Sequence, residues 1–271
     1  MEYKTKTIQY SKIAQETFQA SEPIIYEILW NGVKFELLVN WRKGSHQAVV
    51  FGTGAVEKAK SKLPIFSRNT WMQDLPCSGI WYFDPTVYLG DATLCWCYGT
   101  NKRWYLEDIS VIIKSILDKF EVKMSDTLFF GSSGGGYTAA ILASMLHGKA
   151  TAINPQWIIL NYYAEHVKRF QETVLKPGEK LLDERIRAIS LFQRESNFPL
   201  IHQIQNIQAE RDITTQLIPF LSEITAAQVD CGGRLIVEFY SAEGGHGAMP
   251  SKDETLRFIL EDLERPLPDD R

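Results

Sequence analysis

Residues 126–146, DTLFFGSSGGGYTAAILASML, constrain the chain more than any other stretch. A short apolar run (127–130) meets a glycine-rich turn (131–136) and passes at once into an alanine-rich helical pattern, which reads as a strand, a tight elbow and a helix. The elbow carries Gly131-Ser132-Ser133-Gly134-Gly135, a fit to G-x-S-x-G. In that motif the serine occupies a strained backbone with its hydroxyl pushed out of the sheet. The flanking positions must be small, because strand and helix nearly touch. This requirement selects between the two serines. Centred on Ser133, both flanks are glycine; centred on Ser132, Phe130 would fill a slot with no room for a ring. Ser133 is therefore the candidate nucleophile.

Three other readings of the same glycines compete. Gly134-x-Gly136-x-x-Ala139 also fits a dinucleotide fingerprint, but that motif wants an acidic residue at the end of the next strand, and the next strand ends Asn154-Pro155-Gln156. A phosphate-gripping loop needs a lysine after its last glycine, where Tyr137 stands. The plainest alternative is a glycine turn without chemistry, common wherever a helix packs closely on a sheet.

With 271 residues, 45% of them hydrophobic and 23% charged, the chain can build one generous core, and a single domain over 1–271 is expected. A net charge of −4 and the lack of a basic cluster interleaved with aromatics argue against nucleic acid as a partner. The start of the chain is polar and lacks the apolar run of a secretory signal, and no stretch is long enough to span a bilayer, so a cytoplasmic location is expected. Cys77, Cys95, Cys97 and Cys231 form no C-x-x-C pair and read as buried thiols rather than a metal site or a disulfide framework.

Residues 1–22 show no firm period and read as a helix or an arm laid over the body. From Pro23, two β-rich runs flank Asn31-Gly32, the strongest short hairpin signal because both residues tolerate positive φ. A buried strand over 47–51 ends in Gly52-Thr53-Gly54. A mixed helical and loop segment, a strand broken at Asp84-Pro85 and an amphipathic helix over 105–120 lead to the elbow strand. Beyond the elbow helix, the pattern predicts a strand over 149–153. A polar, helix-prone excursion over about 157–195 follows, and it could form a lid over the sheet edge. Strands over 198–208 and 234–240, separated by a helix from Thr214, precede a closing helix over 252–263. Strands alternating with helices behind a hairpin predict an α/β fold: a mostly parallel central sheet with helices on both faces and an N-terminal antiparallel hairpin.

A serine hydroxyl is a poor nucleophile until a base takes its proton and a third group orients that base. Of the five histidines, only His246 combines a position just after a strand, flexible neighbours and a late place in the chain. Asp212 lies just beyond the preceding strand and would emerge on the same edge, with Glu210 in reserve. The plain reading of Asp212 is a helix N-cap, and that of His246 a turn histidine. The oxyanion of an acyl intermediate needs two N–H donors. Gly134 would supply one and Thr53 the other, with Gly52 and Gly54 letting the backbone approach substrate. Trp157 and Trp71 could stack on a sugar ring, although large aromatics are more often core.

The set GSSGGG (131–136), FGTG (51–54), Asp212 and GGHG (244–247) resembles the serine α/β-hydrolase superfamily over about residues 23–263. The elbow followed by Asn154-Pro155-Gln156 is more particularly similar to α/β-hydrolase-fold proteins of bacterial surface-polysaccharide synthesis, capsule O-acetyltransferases among them. The resemblance implies a triad of Ser133, Asp212 and His246 and an acyl-enzyme. The leading expectation is a carboxylic-ester hydrolase acting on a small-molecule ester, with no cofactor. An O-acyltransferase acting on a glycan, with acetyl-CoA as co-substrate, uses the same steps. A binding module that keeps the fold without catalysis is the third expectation.

Overall fold

The computed structural model describes residues 3–20, 22–59 and 62–268. Strand β1 (Lys4–Gln9) is followed by the hairpin β2 (Ile24–Trp30) and β3 (Val33–Asn40), then β4 (Ala48–Phe51), β5 (Ser78–Tyr82), α1 (Tyr105–Lys119), β6 (Thr127–Ser132) and α2 (Gly134–Met145). The second half adds β7 (Lys149–Ile153), α3 (Ala164–Val174), α4 (Ala188–Arg194), β8 (Leu200–Asn206), α5 (Glu210–Asp212), α6 (Ile218–Ala226), β9 (Leu235–Tyr240) and α7 (Lys252–Glu264). The strands form one nine-stranded sheet in the order β1-β2-β3-β5-β4-β6-β7-β8-β9. From β5 to β9 every pairing is parallel, while β3 is antiparallel to both its neighbours.

The apolar runs explain this arrangement. Along β4, β5, β7 and β8 every residue is buried, as in parallel strands covered by helices on both faces. The hairpin turns where expected: Asn31 and Gly32 adopt φ of 47° and 78°, and Trp30 pairs with Val33 across the two-residue turn. The apolar stripe of α1, with Ile109, Ile112, Ile113, Ile116 and Leu117, is buried. Ser251 and Glu254 cap the start of α7 reciprocally, so the closing helix begins where the sequence S-x-x-E places it.

Two segments depart from the sequence reading. Residues 4–9 are a strand parallel to β2, with a 3-10 turn at Tyr10–Gln15, rather than an arm without a period. Their sequence KTKTIQ buries only Ile8, so an edge strand leaves no alternating apolar trace. In the excursion over 157–195, α4 is not a cover: Ala188, Ile189, Leu191 and Phe192 are buried and α4 packs against α2. Among the described residues, no helix is long and apolar enough to cross a membrane.

Candidate active site

The elbow is formed as its glycines require. Ser133 sits between β6 and α2 with φ 57° and ψ −125°, a conformation costly for any residue with a Cβ. A Cβ on Gly131 would lie 2.1 Å from the Gly135 carbonyl oxygen, and one on Gly135 would lie 3.0 Å from that of Gly52. Strand and helix are thus too close for any larger residue at 131, and Ser133 is left projecting beyond the strand end.

Three side chains from separate elements meet at that point. The Ser133 hydroxyl is 2.8 Å from His246 Nε2, and His246 Nδ1 is 2.7 Å from Asp212 Oδ2. Asp212 ends α5, just beyond β8, and is buried; its carboxylate caps no helix N–H but reaches the imidazole instead. Glu210 is exposed. His246 lies in the loop after β9, where Gly244 and Gly245 take φ of 110° and 65° to turn the chain back over the sheet edge. With Nδ1–H donating to the carboxylate, Nε2 is left as the acceptor facing the hydroxyl. His202, by contrast, is buried within β8.

The loop that carries His246 is held by two buried asparagines. Asn154 Nδ2 donates to the Tyr240 hydroxyl (2.9 Å) and to the His246 carbonyl (3.3 Å). Asn206 Nδ2 donates to the carbonyls of Ala242 (2.9 Å) and Gly245 (3.0 Å), and the Asn206 N–H donates to Asn154 Oδ1 (2.8 Å). Sequence reasoning passed over both as positioning groups. The one available signal was an amide side chain at the end of each of two neighbouring parallel strands.

The loop after β4 flanks the other side of the elbow. Gly52 N–H makes a ladder bond to the Phe130 carbonyl (2.9 Å), so Thr53 is the first residue beyond it. Thr53 Oγ1 donates to the Tyr82 carbonyl (2.6 Å), which fixes the turn from below. Gly52 has no space for a side chain, since a Cβ would lie 2.8 Å from both Gly135 O and Tyr82 Oη. Gly54 is less constrained: its nearest neighbour, the Ser132 carbonyl oxygen, is 3.7 Å from the Cβ position. Gly134 opens α2, where the first N–H groups of a helix have no intrahelical partner and carry partial positive charge.

Three further side chains shape the site: Gln156, known from the sequence only as part of the strand end Asn154-Pro155-Gln156, and Tyr162 and Arg68, which were not singled out there. Gln156 is buried, and its Nε2 donates to Ser133 Oγ (2.7 Å) while its Oε1 accepts from Trp96 Nε1 (2.6 Å). The indole N–H can only donate, so it fixes which end of the amide faces the serine. Tyr162 lies beside His246, with ring centroids 5.5 Å apart, and burial raises its phenol pKa. Arg68 donates from Nη2 to the hydroxyl of Ser132 (3.1 Å), and burial pushes its guanidinium down to about 10. Trp157 is a correction: it is fully buried, stacked on Phe220 at 4.3 Å, and its Nε1 donates to Gln203 Oε1 (2.9 Å). It belongs to the core and cannot reach a sugar. Trp71 is half-buried under the Arg68 guanidinium, 5.3 Å from its ring centroid.

The assembled edge is the carboxyl end of the parallel strands, where loops of open α/β sheets gather binding groups. A polar groove of about 730 Å³, lined by Arg42 to Gln47, Pro76 and Asp126, lies at the opposite strand ends, away from Ser133.

No protein-family model and no curated protein matches this sequence. Solved structures do resemble it in fold. The capsule O-acetyltransferase of Neisseria meningitidis serogroup A is 16% identical, with a TM-score of 0.62 over 88% of this chain and 96% of that one. An S-formylglutathione hydrolase from Agrobacterium tumefaciens is 14% identical, with a TM-score of 0.59 over 89% and 95% of the two chains. A lipase/esterase from Lactobacillus plantarum is 10% identical, with a TM-score of 0.55 over 89% and 98%. The fold is that of the α/β hydrolases.

Proposed function

We propose that the protein is a serine-dependent carboxylic-ester hydrolase working through an acyl-enzyme. The observation that carries this reading is the hydrogen-bonded series Asp212, His246, Ser133 at the strand-to-helix elbow. In the mechanism, Ser133 Oγ attacks an ester carbonyl as its proton passes to His246 Nε2. Asp212 holds the imidazole tautomer and stabilises the imidazolium that forms. The oxyanion is received by the N–H groups of Gly134 and Thr53, a kind of donor whose loss typically costs about 3 to 4 kcal/mol of transition-state stabilisation. His246 then returns the proton to the leaving alcohol, and water, activated by the same imidazole, releases the acid. Gln156 Nε2 donates to Ser133 Oγ, so it supports the charge that grows there during proton transfer.

A second reading is favoured by the fold shared with the capsule O-acetyltransferase. An O-acyltransferase would form the same acyl-enzyme, from acetyl-CoA for instance, and pass the acyl group to a sugar hydroxyl in place of water. The two share every step up to deacylation, and differ in whether the cleft admits water or positions an alcohol.

The test is covalent labelling. A fluorophosphonate should label the purified protein at Ser133; Ser133→Ala should abolish labelling, and Ser132→Ala should retain it. If no label is taken up and neither p-nitrophenyl acetate nor acetyl-CoA is turned over, the acyl-enzyme reading is lost. Labelling that survives Ser133→Ala would move the nucleophile elsewhere.

A further inference from the structure

Arg68 stands in the loop between β4 and β5, in a left-handed conformation (φ 61°, ψ 19°) that turns the chain at the start of the 3-10 segment Asn69–Gln73. Its guanidinium lies 5.3 Å from the Trp71 ring centroid and 5.2 Å from that of Phe130. Phe130 and Ser132 alternate onto one face of β6, so the cation rests on that face and bonds to the hydroxyl next to the nucleophile.

What sets Arg68 apart is what it lacks. Arg103 also stacks on rings, those of Trp30, Phe35 and Tyr105, but Asp108 neutralises it at 2.7 Å. Arg187, Arg194 and Arg257 likewise have carboxylate partners. Among the described residues Arg68 has neither a carboxylate nor a backbone carbonyl. Its single hydrogen bond goes to Ser132, a neutral hydroxyl. None of its nitrogens is fully enclosed without a partner, as one is in each of Arg42, Arg103 and Arg185. A half-buried guanidinium has five donors in a planar fork suited to a carboxylate or phosphate, and leaving such a charge without a counter-ion is costly.

We propose that Arg68 is the anion-recognising residue of this site: the acyl substrate carries a carboxylate or phosphate that the guanidinium holds beside Ser133. The inference rests on the acyl-enzyme reading and narrows its substrate class. Trp71 and Phe130 form the seat that keeps the fork planar and aimed, and Ser132 fixes its rotation. The anion can sit on the acyl side of the ester or on the leaving group, since both project from the same reacting carbon.

Two matched pairs of donors separate those sources. For the acyl side, kcat/KM is measured for 4-nitrophenyl hemisuccinate against 4-nitrophenyl pentanoate. For the leaving-group side, acetyl-CoA is compared with the neutral thioester N,S-diacetylcysteamine. In at least one pair the wild type should prefer the anionic member, and Arg68→Met should lower that preference about tenfold to a hundredfold, the usual size of a lost charge-assisted bond. Arg68→Lys should restore part of it, because it keeps the charge and loses the fork. Binding of 4-nitrophenyl hemisuccinate and acetyl-CoA to Ser133→Ala and to Ser133→Ala/Arg68→Met, by calorimetry, gives the same comparison without turnover. No preference in either pair, or one that Arg68→Met leaves intact in turnover and in binding, overturns the proposal. Absence of labelling and turnover with Arg68-dependent binding retained would instead remove the acyl-enzyme reading and keep the anion site.

Discussion

Two histidine–aspartate pairs in this molecule share one bond length and have opposite surroundings. His246 Nδ1 is 2.7 Å from Asp212 Oδ2, and His202 Nδ1 is 2.7 Å from Asp262 Oδ2. The first pair stands at the end of the strands, with the other ring nitrogen on the Ser133 hydroxyl. The second lies inside the fold between β8 and α7. There Asp262 also accepts from Thr151 Oγ1 (2.6 Å) and Arg265 Nε (3.1 Å). His202 Nε2 is buried without a hydrogen bond, 3.4 Å from a Glu238 oxygen, within ion-pair range but not bonded. A carboxylate that orients an imidazole is therefore not a mark of catalysis. What matters is what the second nitrogen faces, and His202 faces a strand neighbour while His246 faces a hydroxyl on a strained turn.

The contrast can be broken by mutation, and the largest effect should come at the elbow. Ser133→Ala should lower kcat/KM for p-nitrophenyl acetate by about 10⁴-fold or more, with little change in the urea midpoint. Next, Asp212→Asn should cost about 10⁴-fold in kcat, since an amide at this position favours the wrong imidazole tautomer. A drop of less than threefold would show that the His246–Asp212 pair is no more functional than its interior counterpart.

Stability and labelling together should separate the elbow from the interior pair. Gly131→Ala would drive a methyl to 2.1 Å from a backbone oxygen, and should lower the unfolding free energy by about 3 kcal/mol along with activity. His202→Ala should cost about 1 to 3 kcal/mol in denaturant unfolding, because it leaves a cavity and removes one of the three groups bonded to the buried Asp262 carboxylate, while fluorophosphonate labelling of the folded protein persists. Loss of labelling in a folded His202→Ala protein would dissolve the distinction. The smallest effect is expected for Gln156→Leu, about tenfold in kcat, read by the same p-nitrophenyl acetate assay, from the loss of one donor on Ser133 Oγ. An unchanged kcat would make Gln156 a packing residue.

Much of the arrangement around Ser133 was legible in the sequence. The choice of Ser133 over Ser132 followed from the need for small flanks, and the 2.1 Å that would separate a Cβ on Gly131 from the Gly135 oxygen shows the physical cause. Asp212 and His246 could be placed because, in a parallel sheet, residues just past successive strands emerge on one edge. Trp157 could not be placed, since an indole beside a strand end has the same local sequence whether it faces a cleft or stacks on Phe220.

Turn chemistry and apolar periodicity act over a few residues, and they were enough to specify the elbow, the hairpin and the alternation that makes the sheet parallel. Packing in three dimensions settled that Gln156 bonds to Ser133, that Asn154 and Asn206 tie down the His246 loop, and that Arg68 bonds to Ser132 with no carboxylate partner among the described residues. Each of these contacts joins segments far apart in the chain, and polar partnership across such distances leaves no periodic trace. It is set by where the strand ends arrive once the core has packed.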